Sequence, residues 1–385
     1  MARAADLHDG VAAVEAPSRR VDFERPVVCI LGLPFDAIDL EQAVQLIRDA
    51  AFGGRRCFVS TPNLNFAIAA RTDARFRGSV LRSDLSLVDG MPLVWIARLL
   101  GLPVRERVSG ADLFDALEAH HGPPVTVYLF GGPPGAAARA CEGINQRGRG
   151  LRCVGHDTAG FGSIDSMSSD DQIARINLSG AQFVIVALGA AKGQAWIEHN
   201  AARLTAPVLS HLGAVVNFAA GTVVRAPRWM QLIGLEWVWR IKEEPSLWRR
   251  YFKDGIALGH VMIRCVLPDA LAERFPRRKV MGLTPQLVLT RTAVGNVLGL
   301  TGDWRGTDGV PALQTALSRC SSENVSVSID LSGVTDVGDR TLATLLLAHG
   351  WFDQNGGWTL TGASLAVQRS MRRKLAAVTL LGAQL

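Results

Sequence analysis

The sequence predicts an α/β protein, with a mainly parallel sheet in its larger amino-terminal part and a smaller α/β unit after it. Three observations carry this expectation. Short apolar runs at 56–60, 85–88, 125–130, 151–155, 183–188 and 208–212 alternate with helical patterns, the rhythm of a parallel sheet covered on both faces. Most of these runs stop at Pro, Asp-Gly or Gly, residues that end a strand in a sharp turn. Beyond about Met281, strand, loop, helix and strand begin again. The 385 residues are too many for one ordinary domain. The expected division is a tail over 1–26, a sheet domain over 27–224, a basic Trp- and Arg-rich appendage over 225–280 and a last domain over 281–385.

In chain order, residues 1–26 mix charges with Ala and Pro and contain no apolar run of signal-peptide length, so a loose tail is expected and export is not. Residues 27–33 read as a first strand. Asp39 is a good N-cap for a helix over 39–51, whose Leu40, Val44, Ile47 and Ala51 share a face. The run at 56–60 ends in Thr61-Pro62-Asn63, where Pro62 forbids continuation and holds Thr61 extended. The run at 85–88 ends in Asp89-Gly90. Ligands of an open α/β sheet bind just beyond such strand ends, so Thr61, Asn63 and Asp89 are candidates to share one crevice. Asp89 there could serve as a general base, and a plain Asp-Gly turn is the alternative. Gly131-Gly132-Pro133-Pro134-Gly135 joins the strand at 125–130 to a helix over 136–145. It reads either as a phosphate cradle of backbone N–H groups or as a tight turn, and it lacks both the Walker and the dinucleotide glycine spacing. A dinucleotide-dependent oxidoreductase is therefore not expected.

Hydrophobic residues make up 48% and charged residues 20%, a globular balance with ample core. The six cysteines are scattered without a Cys-x-x-Cys pair, which fits a reducing compartment and no structural zinc. No uncharged apolar run reaches membrane-spanning length; the longest candidate, 255–267, carries His260 and Arg264. The net charge of +6 is localised: from Arg225 to Lys279 twelve basic residues face six acidic ones. Trp229, Trp237, Trp239 and Trp248 lie among Arg228, Arg240, Arg249 and Arg250, a mixture that reads either as a solvated amphipathic helix pair or as a phosphate clamp beside a bilayer interface. No nucleic-acid-binding module accompanies it. No Asp-x-Asp occurs, so no metal and no other cofactor is expected.

The pieces T-P-N, V-D-G, R-V-S-G-A-D-L, F-G-G-P-P-G, V-G-H-D-T-A-G-F, R-A-P-x-W, G-L-E-W-V-W-R and E-P-S-L-W-R-R-Y together resemble the WecG/TagA/CpsF glycosyltransferase family over about 27–253. The resemblance implies a Rossmann-like domain and an inverting, metal-independent transfer from a UDP-sugar donor to a polyprenyl-diphosphate-linked saccharide. The implied setting is the cytoplasmic face of the cell membrane, in cell-surface or exopolysaccharide synthesis. It implies that Asp89 is the catalytic base, that Thr61, Asn63 and Arg107 line the substrate pocket, and that the arginine-rich appendage closes the site and touches the membrane. Arg225, Arg240, Arg249 and Arg250 would then stabilise the departing diphosphate. For Arg107 a structural pair with Asp112 or Glu106 is the alternative. The donor region carries Lys192, Gln194 and Asn217, where the chain departs from the family pattern: Gly193 stands for Gln, Gln194 for Glu and Asn217 for Asp. Those departures leave the donor open between an N-acetylmannosamine type and glucose.

From about 281 the pieces V-S-V-S-I-D-L, S-G-V-T-D-V-G-D-R-T-L-A-T-L-L-L and G-G-W-T-L-T-G-A resemble a STAS domain, with a final helix over 365–377. The loop that carries a phosphorylatable serine in switching members falls on Gly338-Asp339-Arg340-Thr341, without a serine. A docking module for a protein partner is implied, and a homo-oligomer is compatible. The rival from another class is a decayed transferase acting as a scaffold through this domain.

Overall fold

The computed structural model describes residues 19–160, 162–274, 283–323 and 325–382. β1 (Val27–Ile30) and β2 (Leu33–Asp36) form an antiparallel hairpin separate from the main sheet, where the sequence predicted a single strand over 27–33. The run is split at Leu31 and Gly32, whose φ values of 52° and 80° make the two-residue left-handed turn that matches hairpin twist.

α1 (Leu40–Gly53) begins in the predicted cap: Asp39 and Gln42 satisfy each other's backbone N–H groups, and Gly54 ends the helix in the left-handed region. There follow β3 (Cys57–Ser60), α2 (Leu64–Ala69), α3 (Ala74–Leu81), β4 (Leu85–Ser86), α4 (Met91–Leu99), α5 (Gly110–Ala119) and β5 (Val125–Gly131). The same part of the chain continues with α6 (Ala136–Arg147), β6 (Leu151–Asp157), α7 (Asp170–Leu178), β7 (Phe183–Ala187), α8 (Ala190–Asn200), β8 (Val208–His211) and α9 (Val215–Ala219). Strands β4-β3-β8-β7-β5-β6 form one sheet, and every pairing in it is parallel. Alternation along β7 shows why both faces are apolar. Phe183 and Ile185 pack with α1, α5 and α6, while Val184 and Val186 pack with Trp196 and Ile197 of α8 on the other side.

Cys141 of α6 and Cys153 of β6 form a disulfide, their Cα atoms 5.2 Å apart, against the expectation that all six cysteines are free. Twelve residues of separation gave no motif, and the pairing arises because α6 folds back along the strand that follows it.

The appendage consists of α10 (Arg228–Leu232), α11 (Glu236–Glu243), α12 (Trp248–Val261) and α13 (Leu267–Arg274). A π-helical turn over Met262–Val266 joins the last two, so that Pro245–Arg274 is one helix of 30 residues. By length and composition it could cross a membrane, where the sequence reading stopped at 255–267 and expected no such helix. Its apolar stretch continues past Arg264 and Asp269, beyond the run that the sequence reading weighed.

β9 (Gln286–Thr292), β10 (Gly295–Trp304), α14 (Val310–Glu323), β11 (Val327–Val337), α15 (Asp339–Phe352), β12 (Trp358–Thr361), α16 (Leu365–Arg373) and α17 (Ala377–Leu380) make the second, smaller unit. Its sheet runs β12-β11-β10-β9, with β9 antiparallel and the others parallel. The single final helix expected over 365–377 is broken at Leu375, whose φ is 59°. α15 is apolar on nearly all sides, the pattern of a helix buried all round. Part of its surface covers its own sheet, and part meets β1 and β2, with Phe352 stacked on Phe23. A Cβ on Gly350 would lie 2.8 Å from Leu81 of α3, so only glycine admits this approach. The hairpin, α3, α4 and the second unit thus share one continuous core.

Candidate active site

Three chain segments converge at the carboxyl ends of β3 and β4. Leu87 N–H donates to Ser60 O and Asp89 N–H to Pro62 O, which lays the Asp89-Gly90 turn beside Thr61-Pro62-Asn63. Val108 N–H donates to Val88 O and brings in the Arg107–Gly110 segment. A Cβ on Gly110 would lie 3.6 Å from Thr61 Oγ1, and one on Gly90 would lie 3.8 Å from Asn63 Cβ. Gly90 has a φ of 110°, the reason this turn uses glycine before α4. Asn63 caps α2, its Oδ1 accepting from Phe66 N–H at 3.1 Å, so the same residue that ends one strand starts the next helix.

Asp89 is partly exposed at the bottom of this arrangement. Its carboxyl is pushed up to about 7, chiefly by desolvation. Arg107 pulls it down, Glu236 and Asp112 push it up again, and Arg225 lowers it. A carboxylate of that proton affinity is half ionised near neutral pH, the condition for a general base.

Arg107 donates to Asp112 Oδ2 at 2.8 Å and to Glu236 Oε2. Arg225 donates to Asp112 Oδ1 and, at 2.6 Å, to Asp115 Oδ2. Ser109 Oγ donates to Asp112 Oδ2 at 2.6 Å, fixing the shared carboxylate. The Asp112 pairing named as the alternative for Arg107 is therefore present; Glu106 instead accepts from Leu40 N–H at 2.8 Å. Glu236 and Arg225 come from the appendage, Arg107 and Asp112 from the sheet domain, so this network docks the two beside Asp89. Glu236 was missed from sequence although it stands in the G-L-E-W-V-W-R motif, because Arg107, which donates to it, lies 129 residues earlier.

The other candidates divide. Gln194, 1% exposed, points inward and donates from Nε2 to Ser60 Oγ at 2.8 Å, below the end of β3. Lys192 is exposed and donates to Gly162 O at 3.0 Å. Asn217 lies on α9 with its buried Oδ1 unpartnered among the described residues. Arg240 leans over the Phe218 ring, its guanidinium 5.7 Å from the centroid, and pairs with Glu244 at 3.6 Å. Arg249 and Arg250 are exposed on α12, each over an aromatic neighbour, Trp248 and Tyr251. On the same helix Asp254 accepts from Asn65 Nδ2 at 3.2 and 3.3 Å, which ties α12 to α2 two residues after Asn63.

His211, another residue missed from sequence, ends β8. Its ring covers Gly193: a Cβ there would lie 2.2 Å from His211 Cδ2. His211 Nε2 bonds the Leu188 carbonyl, which only accepts, so Nε2 carries the proton. In the glycine-rich turn after β5, packing accounts for Gly131. A Cβ on Gly131 would lie 2.8 Å from Ala187 O, and Gly132 N–H donates to that carbonyl at 2.8 Å.

The chain is 27% identical over 194 residues to an N-acetylglucosaminyldiphosphoundecaprenol N-acetyl-beta-D-mannosaminyltransferase of Bacillus spizizenii, covering 50% of this chain and 74% of that protein. The protein of the same name from Bacillus subtilis is 29% identical, with 50% and 73% covered. That from Staphylococcus aureus is 25% identical over 216 residues, with 55% and 83% covered. An anti-sigma factor antagonist from Mycobacterium paratuberculosis is similar over 25% of this chain and 83% of that chain at 18% identity, but its TM-score of 0.24 is too low to carry an argument. With residues 28–270, more than half of its length, matched by the model of the glycosyl transferase WecG/TagA/CpsF family, the chain belongs to that family and is a glycosyltransferase.

Proposed function

We propose that this glycosyltransferase moves a sugar from a UDP donor to a polyprenyl-diphosphate-linked saccharide, with inversion and without a metal. The observation that carries the proposal is the placement of Asp89: a carboxylate at two strand ends, beside Thr61 and Asn63, with its proton affinity raised to about 7. The acceptor hydroxyl attacks the anomeric carbon while its proton passes to Asp89. The bond from that carbon to the diphosphate oxygen breaks, and its electron pair leaves with UDP. The relatives' names describe the same kind of transfer, from an N-acetylmannosamine donor to a diphosphoundecaprenol-linked sugar. In this chain the His211 ring at the end of β8 packs directly on Gly193, and the donor stays open between an N-acetylmannosamine type and glucose.

In this reading the cations that balance the departing diphosphate are Arg249 and Arg250, exposed on α12, and Arg240 over the Phe218 ring. Arg225 is already neutralised by Asp112 and Asp115, so its part is to hold the appendage closed. The long helix also supports a place at the inner membrane surface. Trp248, Phe252 and Ile256, then Ile263, Leu267 and Leu271, recur every four residues and are exposed; the π-helical turn between the two sets adds a residue that keeps them in one stripe. Because Asp254 and Asp269 bind the opposite side of the helix to the body of the protein, the helix lies along the bilayer rather than through it.

The test is UDP release by the purified chain with a panel of UDP-sugars and a short-chain polyprenyl-diphosphate sugar, with and without EDTA. Acceptor-dependent release that survives EDTA is expected. Release that requires a divalent cation would overturn the metal-free mechanism, and no release from any donor would overturn the transferase reading of this site.

A further inference from the structure

The second unit meets the appendage through a buried ion cluster that the transfer reaction does not use directly. Asp269 of α13 is 1% exposed and Lys374, just after α16, is 5% exposed. Lys374 Nζ donates to Asp269 Oδ2 and to Asp339 Oδ2, both at 2.8 Å, and lies 3.5 Å from Glu273 Oε1. Arg373 Nε donates to the other oxygen of Asp269 at 3.3 Å. Asp339 is the first residue of α15, so one ammonium group holds the end of the long helix to the most buried helix of the second unit. The backbone here is equally constrained: Cys29 Sγ donates to Lys374 O, and a Cβ on Gly32 would lie 2.5 Å from Leu375 O. Hairpin, second unit and appendage therefore meet at 374–375.

The loop at 338–341 is consumed by this contact. Asp339 is paired inward, and Thr341, fully buried, donates from Oγ1 to Trp304 O at 2.9 Å. It is an internal joint, not a face offered for modification.

We infer that Lys374 is a positioning residue for sugar transfer: by clamping Asp269 it fixes the far end of the helix whose near end carries Arg249, Arg250 and the Asp254–Asn65 contact. The inference rests on the proposed role of those arginines at the donor diphosphate. An α-helix spanning 245–274 is about 45 Å long at 1.5 Å per residue, so it acts as a stiff strut anchored at Asp254 and Asp269. Without Lys374, Asp339 loses its cation and Asp269 keeps only the longer contact to Arg373, so two carboxylates in a buried place are left undercompensated and push apart. The far end of the strut is then held by the apolar packing of Val261 and Val266 without its ionic clamp, and the arginines spend less time at the donor. The second unit is in this account a working part of the enzyme, braced against the lid, rather than an appended module.

The test uses the full chain, with Lys374→Met and Lys374→Arg on one side of the joint and Asp269→Asn on the other. Asp269→Asn leaves the Lys374–Asp339 pair in place and so guards against a variant that fails to fold. Donor KM and kcat are measured by UDP release well below the melting temperature of each variant, and hydrogen exchange is followed over 255–274. The expected result is a donor KM raised about tenfold in Lys374→Met and Asp269→Asn, faster exchange confined to that helix, and partial rescue in Lys374→Arg. A purely structural contact would lower the melting temperature and leave KM and helix exchange unchanged. If the wild type is active and both variants keep KM and kcat within about twofold, the inference is overturned. If the wild type itself releases no UDP, the transferase reading fails, and exchange over 255–274 alone decides whether Lys374 holds the helix.

Discussion

Replacing Asp89 by Asn tests the chemistry at its centre. The substitution keeps the shape of the side chain and leaves the backbone bond from Asp89 N–H to Pro62 O intact, so the turn at the end of β4 survives. What is lost is the proton acceptor. General-base catalysis contributes roughly 10²- to 10⁴-fold, or about 3 to 5 kcal/mol of barrier, and kcat is expected to fall by that amount with donor KM little changed. The pH profile supplies a second magnitude. With the carboxyl at about 7, half of it is ionised at pH 7 and about one tenth at pH 6, so wild-type kcat should fall nearly tenfold per unit below that midpoint and level off above it. Stability runs in the opposite direction. Because the folded pKa is raised, the protonated form is favoured by folding, and that stability is present below the unfolded value of 3.8 and is lost as pH rises through about 7. The loss is about 4 kcal/mol at most, and less because Asp89 is partly exposed. Asp89→Asn should therefore melt higher than wild type at pH 8 while being nearly inactive. The assay is steady-state UDP release from pH 5.5 to 8.5 beside thermal melts. A variant within a few-fold of wild-type kcat, or a wild-type profile flat through pH 7, would refute the reasoning.

Glu236→Gln removes a charge that raises the Asp89 carboxyl and frees Arg107 to lower it further, so the midpoint of the kcat profile should move below about 7; an upward move contradicts the network. Gly193→Ala should cost roughly 1 to 3 kcal/mol by overpacking His211, and the double variant with His211→Ala should recover most of it, which thermal or urea melts would show as strong non-additivity. Phe252→Ser combined with Ile263→Ser should lower partition onto anionic lipid vesicles by at least about tenfold in a flotation assay, while exposed positions of this kind shift stability by only about 0.5 kcal/mol. Unchanged partition would remove the helix from the membrane interface.

Much of this was legible because local rules and tertiary structure agree. The cap at Asp39, the strand stops at Thr61-Pro62-Asn63 and Asp89-Gly90, and the alternation through Phe183–Ala187 are written in neighbouring residues, and the motif pieces point to the family directly. What could not be read depends on partners distant in sequence. The Arg107–Glu236 pair spans 129 residues and the Lys374–Asp269 pair 105. Gln194 illustrates the limit from the other side: its place in the motif gives no sign that, on the sheet-facing side of α8, it donates to Ser60. The hairpin at Leu31-Gly32 was hidden because an apolar run reads the same whether it continues or folds back. In the second unit, Val327–Val337 and α15 were recognisable from their apolar runs, whereas Gln286–Thr292 was not, since its residues are mostly exposed and carry no burial pattern.

The most direct measurement of the central claim is the product itself: wild-type enzyme, its preferred UDP-sugar and a short-chain polyprenyl-diphosphate sugar, with the lipid-linked product analysed by mass spectrometry and by NMR of the new anomeric centre. The account predicts one added sugar per UDP released, in the anomeric configuration opposite to the donor, and no such product from Asp89→Asn. UDP released without extension of the lipid-linked saccharide, or a product that retains the donor's configuration, would contradict it.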